Sequence, residues 1–399
     1  MTINSNTKQL NPLVITAAYY LAFIVLGLVT GAEGPSLPKL AEHTASTLDR
    51  ISLIFVFASL GYLAGSFMGG QAYDRFPGHR LMACALVVIG ATALLLPVAG
   101  ALWLLLAIFF VLGLAMGTLD VGGNTLLLWL HGEKVGPFMN GLHFFFGIGA
   151  FVAPLILAQV LAATGDIHWI YWVCSLICIP LAVWLWLLSE PERLRTVGEA
   201  KTPFPAFPVI LFVAMFIIYV GLEMGFGSWI YTYTLTVGLG TLKTAAYLNS
   251  AFWGAFTLGR LLGVWVSGRL RSRIILFLDL TGCLASVIIV LLWRESALAL
   301  WIATIGLGLF MASVFPTLMM LAGESMRVSG AITGWFLVGS GAGNMFLPWL
   351  IGQAFVFTGP QAMPVIVLVD IVIFLAVLGY FVAQRFKSLK TPIEDASQS

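Results

Sequence analysis

The sequence predicts an all-α membrane protein with twelve transmembrane helices, arranged as two parallel repeats of six helices. Three observations support this prediction: the composition, the lengths of the apolar stretches and an internal repeat. Of the 399 residues, 60% are hydrophobic and 9% are charged, whereas a soluble globular protein has roughly 25% charged residues. Most side chains must therefore face something other than water.

Twelve apolar stretches are each long enough to cross the hydrocarbon layer of a membrane, which takes about 20 residues of α-helix. Short linkers join them and leave no room for a soluble domain. The first begins at Pro12 and extends to about Leu40, which is too long for the apolar core of a signal peptide, so we expect no cleavage. The stretches, numbered here as spans 1 to 12, are centred near residues 26, 59, 89, 116, 150, 178, 220, 256, 284, 309, 344 and 373.

The two halves of the chain repeat each other. A shift of 194 residues superposes several glycine, proline, glutamine and arginine positions, which indicates a repeat rather than a chance of composition. Two repeats of six spans lie parallel in the membrane, with a solute site at their interface. We expect an N-terminal half at 1–189, a charged, proline-rich cytoplasmic linker at 190–208 and a C-terminal half at 209–399. The matched pairs are Gly147 and Gly341, Gly149 and Gly343, Pro154 and Pro348, Gln159 and Gln353, Gly65 and Gly259, Gly69 and Gly263, and Arg75 and Arg269.

The distribution of lysine and arginine predicts the orientation. With the N-terminus in the cytoplasm, fourteen of these residues fall on the cytoplasmic side and four on the other, so both termini are expected inside, in a multi-pass plasma (inner) membrane protein. Arg260 lies within span 8. The cytoplasmic set is Lys8, Arg75, Arg80, Lys134, Arg193, Arg195, Lys201, Arg269, Arg271, Arg273, Arg327, Arg385, Lys387 and Lys390, and the outer set is Lys39, Arg50, Lys243 and Arg294.

Several other classes of protein lack support. Basic runs interleaved with aromatic residues are absent, so nucleic-acid binding is not expected. HExxH, GxSxG and phosphate-cradling loops are absent too, so we expect neither an enzyme nor a cofactor beyond a coupling cation. Cys174 and Cys178 lie one turn apart without a nearby histidine, which favours packing over a metal site. A monomer in the lipid bilayer is expected.

Three acids within the spans are candidates for binding a coupling ion. An Arg, Lys or Asp in hydrocarbon costs about 2.5–3.5 kcal/mol and marks a functional candidate. The two parallel six-span repeats resemble the arrangement of the major facilitator superfamily, and the resemblance implies that spans 1, 4, 7 and 10 line the central cavity. This selects Glu33, Asp120 and Glu223. A buried carboxylate can load and release a proton, and Na⁺ could bind at Glu33 and Asp120. The alternative is that each acid only fixes helix packing.

The remaining charges in the spans are assigned structural roles. Asp279, in span 9, lies at a depth that Arg260 could reach, so these two are expected to pair. Arg260 is also open to a cavity role, because Asn249, Trp253 and Arg260 share one face of span 8. For Asp370, in the peripheral span 12, we expect an inter-helix hydrogen bond.

Amides, carboxylates and tryptophans greatly outnumber cations in the spans. This pattern suits a neutral, hydroxyl-rich solute, because the acceptors bind hydroxyl groups and an indole covers the C–H face of a sugar ring. For His143, simple packing is an equal alternative. The candidates for substrate binding are Asn124, Asn140, His143, Asn249, Trp253 and Asn344.

The loop after span 2 reads Gly70-Gln-Ala-Tyr-Asp74-Arg75-Phe-Pro-Gly78-His-Arg80. It resembles the cytoplasmic signature GxxxDRxGRR of the major facilitator superfamily, with one extra residue before the second glycine, and the resemblance implies the major facilitator fold. The positive end of span 11 would favour a carboxylate nearby. We therefore expect a conformational latch at Asp74, Arg75 and Arg80, the alternative being an ordinary charged loop.

Further segments resemble the fucose–galactose–glucose:proton symporter family and the related sodium-dependent glucose transporter branch. The resemblance implies cation-coupled symport of a small neutral sugar by alternating access, with the acids of spans 1 and 4 (Glu33 and Asp120) in the coupling. Because some segments are more similar to the sodium-dependent branch, H⁺ and Na⁺ both stay open. The segments are Gly113–Asn124, Asn140–Ala150, Tyr219–Trp229, Gly259–Gly263 and Ser313–Thr317.

One other transport function competes with sugar symport. A proton-driven exporter of drugs or other amphipathic solutes commonly carries a GxxxGPxxGG-like run on span 5. This chain has Gly147, Gly149 and Pro154 there but not that run. The exporter is therefore the less favoured alternative.

Overall fold

The computed structural model describes residues 11–191 and 205–396, without the side chains of residues 330, 331 and 385–396. All regular secondary structure in these ranges is helical, as predicted. Some predictions fall outside them. These concern Lys8, most of the linker 190–208 with Arg193, Arg195 and Lys201, and the side chains of Arg385, Lys387 and Lys390.

Seven α-helices precede the linker. Span 2 comprises the short helix α2 and the longer α3, and single 3₁₀ turns follow α4 at Leu96–Val98 and α5 at Gly132–Lys134. The helices are α1 (Pro12–His43), α2 (Leu48–Ile51), α3 (Leu53–Tyr73), α4 (Gly78–Leu95), α5 (Leu102–His131), α6 (Val135–Thr164) and α7 (His168–Leu187).

Seven more α-helices follow the linker. Span 10 is interrupted at residues 312–313, between α11 and α12. Every predicted span thus contains a helix. The helices are α8 (Ala206–Thr236), α9 (Leu242–Ser267), α10 (Ser272–Leu292), α11 (Ala297–Met311), α12 (Val314–Ser325), α13 (Gly330–Thr358) and α14 (Ala362–Ala396).

Local capping explains several of these boundaries. Thr241, Ser296 and Ser329 precede α9, α11 and α13, and each side-chain oxygen accepts a hydrogen bond from a backbone amide three residues later. These caps satisfy donors that the first turn of a helix leaves unpaired. At the other end of α6, Gly165 adopts φ 72°, a left-handed conformation that glycine accommodates without strain.

Nine helical segments in the described ranges are long and apolar enough to cross a membrane. One of them, Leu102–Thr164, contains both α5 and α6 in 63 residues. The helices α9 and α13, of 26 and 29 residues, are not among the nine, and both carry polar side chains along their length. The chain is therefore a multi-pass membrane protein, while the count of twelve crossings stays a prediction.

The helices form two compact units. In the described ranges, the first comprises residues 11–32, 42–45 and 57–191, and the second comprises 33–41, 46–56 and 205–396. In this division, part of α1, the whole of α2 and the start of α3 group with the second unit. The halves 1–189 and 209–399 stay a prediction.

In the first unit, glycines bring pairs of helices into backbone contact. On α3, a methyl group at Gly65 would overlap the carbonyl oxygen of Leu114 on α5, and Gly113 meets the Ala58 carbonyl in the same way. A side chain at either glycine would force α3 and α5 apart. A methyl group on Gly149 of α6 would likewise overlap the backbone of α1.

The second unit makes close helix contacts at the matching positions. Gly259 on α9 lies against the Leu309 carbonyl of α11, and Gly343 on α13 lies against the Ile217 carbonyl of α8. Gly259 and Gly343 are the residues that the 194-residue shift places on Gly65 and Gly149. Each unit therefore uses the same sequence positions for the same kind of contact.

Candidate functional site

Asp120 lies within α5, and donors from two helices hold its carboxylate. The Tyr62 hydroxyl on α3 donates to Oδ2, and Asn124 Nδ2, one turn along α5, donates to Oδ1 at 3.0 Å. Asn124 Nδ2 also donates to the Asp120 backbone carbonyl at 2.9 Å. Both carboxylate oxygens are thus satisfied by neutral donors.

Tyr62 was not among the residues predicted from the sequence. It reaches Asp120 because α3 and α5 touch through their glycines, and a methyl group on Gly117 would overlap the backbone carbonyl of Tyr62. A signal was present, since glycines recur four residues apart on both helices, at Gly61 and Gly65 and at Gly113 and Gly117. Such spacing indicates a close helix contact.

Glu33, the second predicted coupling acid, is only 8% exposed in α1. In the described part of the chain, no hydrogen bond or ion pair joins its carboxylate to another side chain. Its neighbour Gly34 packs against the backbone of Ser228 on α8, within the second unit. Asp120 belongs to the first unit, so a common cavity for these two acids stays a prediction.

Glu223, on α8, is buried near two other polar side chains. Tyr219 lies one turn earlier and Arg260 lies on α9, and both are electrostatic neighbours of the Glu223 carboxylate. Arg260 Nε is buried without a hydrogen-bond partner among the described residues. The guanidinium carbon of Arg260 lies 4.7 Å from the centre of the Phe256 ring. An acid, a phenol and a guanidinium are therefore grouped here.

Asp279 has a different partner from the one predicted. The hydroxyl of Ser313 donates to its Oδ2, and Asp279 makes no ion pair with Arg260 within the described ranges. Ser313 can reach the acid because it lies in the interruption between α11 and α12. Hydropathy and depth alone could not reveal that a helix break would supply a hydroxyl.

The prediction for Asp370 is also wrong. Its side chain is buried, but Oδ2 has no hydrogen-bond partner among the residues described, so the expected inter-helix bond is missing. Among the described residues, no polar contact therefore explains why an acid lies at this position of α14.

Two of the predicted substrate-binding residues pack within the second unit. Asn249 is fully buried, and its Nδ2 donates to the Gly227 carbonyl of α8 at 2.5 Å. Trp253 is 2% exposed and lies beside the same glycine. These contacts join α9 to α8, and the Asn249 oxygen keeps no hydrogen-bond partner in the described ranges. A binding role for either residue stays a prediction.

The other candidates differ in exposure. Asn140 is exposed at the start of α6, and His143, one turn later, is half-buried with its ring edge against Phe23 (centroids 5.9 Å apart). Asn344 is half-buried in α13. The structure thus leaves Asn140 accessible, and it gives His143 an aromatic neighbour.

The latch residues Asp74, Arg75 and Arg80 are all exposed, in and just after the turn between α3 and α4. The guanidinium of Arg80 lies over the Trp186 ring, 5.5 Å from its centre. A partner for the latch in the C-terminal half belongs to the other unit, so the latch itself stays a prediction.

A buried histidine next to this turn was missed. His79 is fully buried, and its Nε2 hydrogen-bonds with the Tyr19 hydroxyl at 2.6 Å. Its backbone amide donates to both carboxylate oxygens of Glu190, at 3.1 and 3.2 Å. The first residue of the linker thus caps the N-terminus of α4, where a negative charge is favourable.

A second missed cluster lies between α6 and α7. Asp166 Oδ2 is 3.1 Å from His43 Nε2, and Asp166 Oδ1 is 3.0 Å from His168 Nδ1. Partial burial would raise the pKa of Asp166, but the backbone amide of Ile167 and the contact with His43 outweigh it, so the pKa lies below its usual value. The cluster ties the end of α1 to the start of α7.

No group of three or more His, Cys, Asp or Glu side chains in the described ranges is placed to hold a metal ion.

The chain is similar to known proteins in both sequence and structure. The family model for the Major Facilitator Superfamily matches residues 19–348. A sodium-dependent glucose transporter 1A from Mus musculus is 30% identical over 84% of this chain and 88% of its own length, and sodium-dependent glucose transporter 1 from Homo sapiens is 29% identical over 83% and 71%. The crystal structure of a D-xylose-proton symporter superposes with a TM-score of 0.75 at 11% identity, covering 91% of this chain and 97% of that one.

Proposed function

Because this chain belongs to the Major Facilitator Superfamily, we propose that it is a secondary active transporter that couples the entry of H⁺ or Na⁺ to the symport of a small neutral sugar by alternating access. It is a transporter and not an enzyme. The names of the similar glucose transporters support a sugar as the substrate. They also disfavour the exporter alternative.

The single observation that carries the coupling is the environment of Asp120. A carboxylate within an apolar helix is expensive unless it has a role. Here Tyr62 and Asn124 orient it with neutral donors. A coupling cation can then neutralise the carboxylate without first breaking an ion pair.

The other candidate residues serve in coupling, in sugar binding and in the latch. Glu33 and Glu223 join Asp120 in coupling, with Na⁺ at Glu33 and Asp120 if sodium is the ion. The sugar is bound by Asn124, Asn140, His143, Asn249, Trp253 and Asn344. The latch comprises Asp74, Arg75 and Arg80.

The proposed topology has twelve crossings in two parallel repeats. The segment Leu102–Thr164 would be about 95 Å long as one helix, at 1.5 Å per residue, which is roughly three times the hydrocarbon thickness. It therefore has to turn back, and Gly132 with φ 54° supplies the turn. The repeats are 1–189 and 209–399, joined by the linker 190–208. Both termini lie in the cytoplasm, and the protein works as a monomer in the plasma (inner) membrane.

The decisive experiment is counterflow of radiolabelled monosaccharides in proteoliposomes, with and without Na⁺ and with and without a pH gradient. We expect exchange of at least one neutral monosaccharide, and accumulation only when a gradient of one of the two cations is imposed. Absence of exchange for every neutral sugar, together with efflux of an amphipathic dye, would establish the exporter instead.

A further inference from the structure

The hydroxyl of Tyr62 contacts Asp120 from a different helix, and nothing in the sequence had assigned it a role. We propose that Tyr62 is a positioning residue for cation coupling: it orients the Asp120 carboxylate and reverses its own hydrogen bond when the cation binds. This inference rests on the proposed coupling role of Asp120.

The two groups that donate hydrogen bonds to the Asp120 carboxylate are not equivalent. Asn124 Nδ2 belongs to the same helix as Asp120 and can only donate. The Tyr62 hydroxyl belongs to α3, and a phenolic hydroxyl can both donate and accept. Tyr62 can therefore donate to the charged carboxylate, and accept from the protonated one or turn its oxygen towards Na⁺.

Close backbone contacts between α3 and α5 hold Tyr62 in place. Added methyl groups on Gly61 or Gly65 of α3, or on Gly113 or Gly117 of α5, would each overlap the backbone of the facing helix. The separation of α3 and α5 is thus fixed by contact on both sides of Tyr62. Rotation about the C–O bond keeps the Tyr62 oxygen in place and turns its hydrogen towards Asp120 or away from it.

A matched control lies further along the same helix. Tyr73, on α3, donates its hydroxyl to the backbone carbonyl of Thr118 on α5 at 3.0 Å. Tyr62→Phe and Tyr73→Phe therefore remove the same atom and one hydrogen bond between the same two helices. Only Tyr62→Phe removes a hydrogen bond from the Asp120 carboxylate.

The measurement is the concentration of coupling cation that gives half-maximal sugar uptake into proteoliposomes, with the ion identified beforehand on the unmodified protein. A hydrogen bond to a charged group changes an equilibrium by roughly ten- to one-hundred-fold. We expect Tyr62→Phe to shift the half-maximal concentration by about tenfold or more. The shift is to lower concentration for H⁺, since the charged carboxylate loses a donor, and to higher concentration for Na⁺, since an oxygen ligand is lost. Tyr73→Phe should leave it unchanged.

The background of the Asp120→Asn variant separates this inference from the proposed function. If Tyr62 acts through Asp120, then Tyr62→Phe should have no further effect on uptake in that background. Equal shifts in Tyr62→Phe and Tyr73→Phe, or an undiminished effect of Tyr62→Phe without the acid, would overturn the positioning role. Unimpaired accumulation by Asp120→Asn would instead overturn the coupling role of Asp120.

Discussion

Replacing Asp120 by asparagine should abolish accumulation of sugar while sparing its exchange. The substitution keeps the shape of the side chain and removes its charge. The new amide can still accept a hydrogen bond from Asn124 Nδ2 and can donate to the Tyr62 oxygen, so neither neighbour loses a partner. Coupling fails because an amide neither loads a proton nor balances the charge of Na⁺.

The expected loss of stability is small. Two hydrogen bonds to a charged group become neutral ones, a difference of about 1 kcal/mol each. A loss of about 2 kcal/mol at most is a fraction of the roughly 5–15 kcal/mol of a folded protein, and removing a buried charge offsets part of it. The variant should therefore fold and bind the sugar.

The assay compares two activities of the same proteoliposomes. A tenfold cation gradient stores about 1.4 kcal/mol, which sustains about a tenfold sugar gradient when one cation moves with each sugar. In Asp120→Asn the ratio of internal to external sugar should fall to about 1, the value for transport without coupling, while counterflow continues. Asp166→Asn makes the same chemical change outside the spans and should accumulate normally. Accumulation by Asp120→Asn at the unmodified level would refute the reasoning.

Three further substitutions test the packing and the polar contacts by thermal unfolding in detergent. Gly65→Ala should lower the free energy of unfolding by about 1–3 kcal/mol, because the added methyl group overlaps α5. Gly70→Ala should leave it unchanged, because the space around its methyl group is open. Ser313→Ala leaves the Asp279 carboxyl without its partner, and should cost about 1–3 kcal/mol; equal melting temperatures would contradict this. Because the pKa of Asp166 is lowered in the folded protein, its charged form stabilises the fold at pH values above the unfolded-state pKa of about 3.9. Asp166→Asn should therefore have a lower melting temperature than the unmodified protein at pH 7. The two melting temperatures should converge as the pH falls below that pKa.

The sequence predicted the helices well and identified the acids that lie within them, because both depend on local properties. Hydropathy over about 20 residues identifies a span, and a charge within a span stands out whatever surrounds it. Partners across helices depend on helix rotation and packing instead. Tyr62 and Asp120 are 58 positions apart, and only the glycine spacing hinted at their contact. Asp279 was assigned to the wrong partner because depth was known and rotation was not.

The surroundings of the three candidate acids favour different tasks, although their positions in the spans look alike. Asp120 has a partner whose hydrogen bond can reverse, which suits a group that alternates between charged and neutral forms. Glu223 lies near Arg260, whose fixed positive charge opposes the entry of Na⁺. Glu33 has neither kind of neighbour in the described ranges. The local chemistry therefore makes Asp120 the acid best able both to bind and to release a cation within one transport cycle.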